Sequence, residues 1–449
     1  MSLSLDKLVD AEAGMVSREL FVSQELFDLE QEYLFSRAWL FVGHESLVPN
    51  PDDFFVSRMG TDSVILTRDR QNRIQVLLNS CTHRGMKLCR EDQGNTRIFA
   101  CPYHGWSFTT DGKLSPIPGA LTGVPGLKKH YYGELDTSAW GLRRVGKLVN
   151  YKGTIWATWD PDAPDFEEYL GDMRLYLDYA LDHRDGSPGG SEVIAGVQKW
   201  RIGTNWKIIA ENFNGDLYHD ISHRSVDTIG IGPGGKGRRD PTPERTSISF
   251  KHLGHGVIGR APYDTEGPYR PLFANHPEAE AYYRSLHEKR EVLLAGKVRV
   301  LHSVGAIFPN TSVHGRQPRT IGVFHPISPT ETEMWRFFLV DKDAPQAVKD
   351  AHRHYYLRYS GPGGMTESDD TENWTYATQA CKGSIARKMP FNYQMGLGHA
   401  QPVPGLRGAV TTGEFTEENN RNYYKRWSQF VRGLSWDELM AASRAEQGV

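Results

Sequence analysis

Two short segments, Cys81-Thr82-His83 and Cys101-Pro102-Tyr103-His104, each set a thiol beside an imidazole, with seventeen residues between them. Two thiolates and two imidazoles can close one tetrahedral zinc. They can also hold a two-iron cluster, with both thiolates on one iron and both imidazoles on the other. Zinc modules usually pair cysteine with cysteine and histidine with histidine along the chain. Here each segment supplies one of each, which suits a dinuclear cluster clamped from both sides by loops projecting from hairpins. Gly85 and Gly105 follow the two segments and permit the tight backbone that lets amides point at bridging sulfides. Cys89 has no histidine in the corresponding place and reads as a small buried hydrophobe. Four cysteines in 449 residues make no disulfide framework.

A second constellation lies at Asn212, Asp216, His219 and His223, separated by four, three and four residues. On a helix from about Asn205 to His223 these would form one narrow stripe, beside an apolar stripe of Trp206, Ile209, Phe213 and Leu217 that packs on a sheet. Two histidines one turn apart can share a metal, and Asp216 can accept a hydrogen bond from an imidazole and orient it. Taken alone, H-x3-H is a weak signal. A third ligand is offered by Glu367-Ser368-Asp369-Asp370-Thr371-Glu372-Asn373-Trp374. Thr366 and Asp369 fit a capping box, which would occupy Asp369 at a helix start. Asp370, Trp374, Ala377 and Cys381 then form an inward stripe headed by a carboxylate that needs a cation. Two histidines and one carboxylate with open positions are the facial triad of non-haem Fe(II) oxygenases.

Cys81-Thr82-His83-Arg84-Gly85 with Cys101-Pro102-Tyr103-His104-Gly105-Trp106 resembles the Rieske [2Fe-2S] signature. With the second site, essentially the whole chain resembles the catalytic α subunit of Rieske non-haem iron aromatic-ring-hydroxylating dioxygenases, in particular the naphthalene and polycyclic-hydrocarbon group. The resemblance implies that Cys81, His83, Cys101 and His104 hold the cluster and that His219, His223 and Asp370 hold a mononuclear Fe(II). It implies that Asp216 bridges a cluster histidine of one subunit and an iron histidine of its neighbour in a trimer. One departure stands out: the family more often has four or five residues between the iron histidines, and here there are three.

The implied reaction adds both atoms of O2 to an aromatic ring, giving a cis-dihydrodiol, with electrons from NADH relayed by a reductase and a ferredoxin. The implied assembly is α3 or, with a small β subunit, α3β3. A Rieske monooxygenase or demethylase, or a dioxygenase of an aromatic carboxylate, would use the same two centres. A Rieske electron carrier would need only the first of them. The resemblance also places the strand near residue 300 along the substrate pocket, where His302, Val304, Ala306 and Phe308 alternate to one face, with Asn212, Phe213 and Leu217 opposite. No arginine or lysine is evidently tied to that pocket, which favours a neutral aromatic.

The elements that must position these residues change character along the chain. Leu20, Leu26, Leu29, Tyr33, Leu34 and Trp39 recur near helical spacing, so residues 1 to about 40 read as helical. Ser63–Thr67 and Ile74–Leu78 flank the polar stretch Arg68–Arg73 as a hairpin, and Arg97–Ala100 and Gly153–Trp159 are further short strands. Asp160-Pro161-Asp162-Ala163-Pro164-Asp165 is a linker. Strands recur at Val193–Ile202, Val298–Phe308, Thr320–Phe324 and Met334–Val340. Helices recur at Met365–Cys381 and at the C-terminus, where Gly433 stops one helix and Ser435 with Glu438 starts the next. The fold class is therefore α+β, an all-β domain inserted in a larger one, and the resemblance makes the insert a Rieske [2Fe-2S] domain and the larger part a catalytic domain with an antiparallel sheet flanked by helices. Residues 1–40 are the N-terminal helical part of the catalytic domain, 41–160 the Rieske domain and 161–449 the catalytic non-haem iron domain.

Composition narrows the partners. At ~100–200 residues per domain the length allows two or three domains. With 52 basic and 55 acidic residues the formal charge is −3, which offers no field for nucleic acid. No apolar run approaches the ~18 residues of a membrane span. The N-terminus carries no secretory leader, so a cytoplasmic location is expected. Gly230-Ile231-Gly232-Pro233-Gly234-Gly235-Lys236 imitates a phosphate-binding loop. However, Gly237-Arg238-Arg239-Asp240-Pro241 cannot open a helix, so no nucleotide site is expected there.

Overall fold

The computed structural model describes residues 5–115, 130–231, 246–263, 269, 271, 273, 275–316, 319–413 and 415–447. The glycine-rich stretch from Gly232 onward lies outside them. The chain falls into two compact units, one of residues 35–163 and one of residues 1–34 with 164–449.

The smaller unit is all β among its described residues apart from short turns. A sheet of four strands runs in the order Ile74–Leu78, Asp62–Arg68, Asp53–Met59, Gln93–Asn95, all antiparallel. The expected hairpin is present, and Asp69 closes its turn by accepting the N–H groups of Gln71 and Arg73. Leu40–His44 pairs with Thr154–Thr158, which pairs with Lys147–Tyr151. Residues up to 40 are therefore not one helix. Leu40–His44 is buried at every position, and such a continuous apolar run suits a strand covered on both faces. The unit's core gathers Ile65, Leu77, Phe99, Phe108 and Leu142 around Cys81, Cys101 and Trp106.

In the larger unit the N-terminal residues form a 3-10 turn at Arg18–Phe21 and a short α-helix, Gln24–Leu29. Ser23 caps that helix by accepting the Leu26 N–H, and π-helical turns continue from it over Glu30–Phe35. The Glu30 carboxylate is wholly buried. It accepts from Trp206 Nε1 and Trp427 Nε1, both at 2.8 Å, and from Lys207 Nζ at 2.5 Å. A buried pair stands only when its remaining lone pairs are also satisfied, and the two indoles do that.

The frame is a nine-stranded antiparallel sheet. Its order is Ser191–Ile202, Glu331–Asp341, Thr320–Ser328, Thr311–His314, Arg299–Ile307, His255–Tyr263, Thr246–Phe250, Ala409–Thr411, Gln401–Pro402. The helix Trp206–Gly215, capped by Asn205 Oδ1 on the Lys207 N–H at 3.0 Å, packs on its centre, and the helix Glu418–Val431 packs on that helix in turn. The C-terminal capping box is present: Ser435 N–H donates to Glu438 Oε2 at 2.8 Å and Glu438 N–H to Ser435 Oγ at 3.3 Å. Among the described residues no helix is long and apolar enough to cross a membrane.

The expected helix over 205–223 stops at Gly215. Asn214 and Asn419 close its end reciprocally: Asn419 Nδ2 donates to the Asn214 carbonyl at 2.6 Å and Asn214 Nδ2 to the Asn419 carbonyl at 3.2 Å. Gly215 makes room for this, since a Cβ there would lie 2.3 Å from Asn419 Nδ2. Gly215→Ala should therefore cost on the order of 1–3 kcal/mol. A thermal melt of the variant should show the drop, and an unchanged midpoint would refute the steric account.

Candidate metal centres

The two Cys–His loops of the smaller unit are built alike. Cys81 N–H donates to the Met86 carbonyl and Gly85 N–H to the Cys81 carbonyl. Cys101 N–H donates to the Trp106 carbonyl and Gly105 N–H to the Cys101 carbonyl. Gly85 and Gly105 have φ of 72° and 76°, so each loop closes only with glycine at its fifth position. Both cysteines are free and buried. Burial raises the Cys81 thiol, and the neighbouring Cys101 sulfur acts in the same direction. The imidazoles of His83 and His104 meet edge to face, centroids 4.7 Å apart, and His83 stacks on Trp106 at 4.9 Å. Burial, His104 and Arg84 depress His83, whose Nδ1 is buried without a partner. Two adjoining thiols and two adjoining imidazoles, one with an orphaned nitrogen, fit a cluster held from both sides. Cys89 is buried, its thiol pushed up to about 12 by burial, and its backbone is bound to Asn79, as expected of a packing residue.

In the larger unit, His219, His223 and Asp370 bring one ligand atom each to within 4.8 Å of one another. His223 Nε2 lies 3.2 Å and His219 Nε2 3.8 Å from Asp370 Oδ1. Asp216, His219 and His223 are not on one helical stripe. Beyond Gly215 the chain leaves the helix, makes a 3-10 turn over Asp220–His223 and enters the helix Arg224–Ile229. That tight turn is why three intervening residues suffice to set the two rings 5.1 Å apart. Asp370 is buried, and among the described residues no lysine or arginine pairs with it. A buried carboxylate facing two imidazole nitrogens is matched by a divalent cation.

The outer nitrogens of both rings are backed by carboxylates. Asp216 Oδ1 lies 3.2 Å from His219 Nδ1, and Asp369 Oδ2 lies 3.6 Å from His223 Nδ1. Asp369 is thus not taken up in a capping box. The helix Met365–Cys381 starts from Gly364 without a side-chain cap, and Asp369 instead accepts from Ser225 Oγ at 3.1 Å. Spacing alone pointed to a cap because Ser225 and His223 are far away in sequence. Asp369→Asn should lower metal affinity by about 10- to 100-fold while keeping the fold, as read by iron titration against a chelator. Unchanged affinity would leave Asp369 a merely local partner of Ser225. Glu211 stands behind this segment, accepting from Tyr393 at 2.7 Å and from Tyr424. Burial, with Asp216 and Glu417 acting the same way, raises it to about 7.

The residues expected around a substrate are only partly brought together. Phe213 stacks on Phe324 at 5.5 Å and meets His314 at 5.4 Å and Trp374 at 5.9 Å. Val304 is paired directly with His314, which sets it on the same face. Asn212 and Leu217 are half-buried. His302 is buried elsewhere on that strand, against Tyr176 and Tyr179. Phe308 lies past the strand's end and packs on Tyr423 and Phe430 of the helix Glu418–Val431. The expectation that no cation belongs to this region is also corrected. Arg336 lies 5.6 Å from the Phe213 ring centre and is ion-paired with Glu367, one turn before Asp370.

Residues 38–128 match the model of the Rieske [2Fe-2S] domain, and residues 166–433 match that of the ring hydroxylating alpha subunit catalytic domain. The chain is 35% identical to biphenyl 2,3-dioxygenase subunit alpha of Rhodococcus jostii (strain RHA1), over 98% of this chain and 94% of that one. It is 32% identical to a benzene 1,2-dioxygenase subunit alpha of Pseudomonas putida, over 97% and 95%. Among solved structures it resembles naphthalene 1,2-dioxygenase from Rhodococcus sp. bound to indole, with a TM-score of 0.77 and 35% identity over 94% of this chain and 95% of that one.

Proposed function

Because the chain belongs to the family of Rieske ring-hydroxylating oxygenase α subunits, we propose that it is a terminal oxygenase that adds both atoms of O2 to an aromatic ring, giving a cis-dihydrodiol. The observation that supports this best is the convergence of His219, His223 and Asp370, in a chain that also carries paired Cys–His loops. In this family a [2Fe-2S] cluster stores electrons one at a time and a mononuclear non-haem iron activates O2. Here Cys81, His83, Cys101 and His104 would hold the cluster, and His219, His223 and Asp370 the iron.

Asp216 holds the His219 ring through its outer nitrogen, and in a trimer it would meet a cluster histidine of the neighbouring subunit. Asn212, Phe213, Leu217 and Val304 border the ring. Ferredoxin and an NADH-dependent reductase are the proposed electron donors in the cytoplasm, with a small β subunit completing α3β3.

Purified protein should be red-brown, with a reduction potential of roughly −150 mV or above, against about −400 mV for all-thiolate ferredoxins. Labelled O2 should place both atoms in one product. Incorporation of a single atom would instead favour a monooxygenase, and a colourless protein would overturn the reading.

A further inference from the structure

The inner face of the nine-stranded sheet holds a polar niche that the proposed chemistry leaves unused. Register sets Val304, His314 and Thr320 in one cross-strand row, and Ala306, Ser312, Gly322 and Arg336 in the next. Directly opposed residues of antiparallel strands share a face, so both rows lie under Phe213. Gly322 brings no side chain to the second row, and the Ser312 hydroxyl leans over its backbone, so that a Cβ there would stand 2.5 Å from Ser312 Oγ.

The polar atoms around Gly322 are mostly donors. Arg336 gives Nη2 to Glu367 Oε1 and Nη1 to Thr320 Oγ1, the latter at 3.0 Å. With its oxygen so engaged, the Thr320 hydroxyl turns its proton to His314 Nδ1, 3.1 Å away. Arg336 Nη1 also approaches that nitrogen, at 3.4 Å, and it cannot accept. The imidazole proton therefore sits on Nε2, in keeping with the depression of His314 by burial and by Arg336. Arg336 Nε and Ser312 Oγ are buried without partners, and so is Glu367 Oε2. One free acceptor thus stands against two buried donors without partners, Arg336 Nε–H and the Ser312 hydroxyl, with the His314 Nε2–H on the same face. Buried donors left unpaired are costly, so such a niche suits a ligand group made of acceptor oxygens. Glu367 ties the niche to the helix that carries Asp370 one turn later.

We propose that the ring this enzyme oxidises carries an acceptor-oxygen substituent, a carboxylate foremost, anchored by Arg336, Ser312 and His314. This rests on the ring-oxygenase reading and narrows its substrate to oxygenated aromatics. A site built to hydrogen-bond a substituent discriminates strongly against the analogue that lacks it.

The test uses holoenzyme with ferredoxin and reductase, and the matched pairs naphthalene with 2-naphthoate and biphenyl with biphenyl-4-carboxylate. Anaerobic calorimetry gives the dissociation constants and labelled O2 gives the products. Each acid should bind at least tenfold more tightly than its hydrocarbon, and the acid should be oxidised preferentially. Ser312→Ala and His314→Leu should each shrink that ratio several-fold, and Arg336→Gln, where it folds, should abolish it. 2-Acetylnaphthalene binding between the two members of its pair would support recognition of the acceptor oxygen.

Hydrocarbons oxidised with no preference for the acids, or a preference untouched by Ser312→Ala, would overturn the inference, leave the niche to ordered water only, and spare the oxygenase reading. Acids bound with the expected variant dependence but neither class oxidised would uphold the anchor and remove the oxygenase reading.

Discussion

Asp370→Ala should abolish turnover and empty the mononuclear site while the protein stays red-brown with an unaltered cluster spectrum. The two candidate centres share no ligand, and the Cys–His loops lie in the other compact unit. Iron content should therefore fall from three per chain to two. Among the described residues Asp370 is the sole carboxylate facing both Nε2 atoms, at 3.2 and 3.8 Å, and removing it leaves two imidazoles with no compensating charge for a divalent ion.

Stability supplies a second readout. In metal-free protein Asp370 is a buried carboxylate with no lysine or arginine paired to it among the described residues, so the metal-free variant should melt no lower than metal-free parent. Iron should raise the midpoint of the parent and not of the variant. An Asp370→Ala protein that retained its third iron would show that the ligand lies elsewhere, with Asp369 and Glu367 the nearest substitutes.

Asp216→Asn should leave both centres loaded and the assembly intact, yet slow turnover by on the order of 100-fold. Asp216 Oδ1 approaches His219 on the nitrogen that faces away from Asp370. In the proposed role its charge would hold the ring's N–H in place and, across a trimer interface, a cluster histidine as well. The asparagine keeps the shape and removes the charge, so the loss should appear in cluster reoxidation followed by rapid mixing with substrate and O2. Reoxidation at the parental rate would reduce Asp216 to a local orienting group.

Much of the scaffold was legible because its signals are local. The strands at Asp62–Arg68 and Ile74–Leu78 are aliphatic and β-branched runs bounded by polar turns, and the helix Met365–Cys381 buries Asp370, Trp374 and Cys381 of its expected inward stripe, with Thr378 in place of Ala377. The helices Pro277–Leu293 and Gln346–Tyr359 escaped notice, although buried Ala279, Tyr283, Leu286 and Arg290 repeat at helical spacing. Their inner faces mix tyrosine, histidine and arginine with a few aliphatics, which blunts an apolar periodicity.

The site residues were legible as types, but their placement was not. A helical count cannot foresee that Asn419, some two hundred residues on, ends a helix at Gly215 and hands the histidines to a 3-10 turn. Arg336 stayed hidden because a charge inside a strand reads as facing solvent. Its partner Glu367 comes thirty-one residues later, on another element.

The carboxylate of Glu30 sets an order of events during synthesis. Its cation arrives with Lys207, and one of its two indole donors comes only with Trp427, near the end of the chain. Residues 35–163 make a compact unit in between and can close as they emerge, since domains generally fold as units on the ribosome. The acidic side chain that follows the first helix must therefore wait in water at least until Lys207 has been made, and its site is complete only when Trp427 arrives. Trimming the first thirty-four residues would leave Lys207 a buried cation without its counter-charge. A ribosome stalled before Trp427 should expose the N-terminal segment to protease while residues 35–163 already resist it.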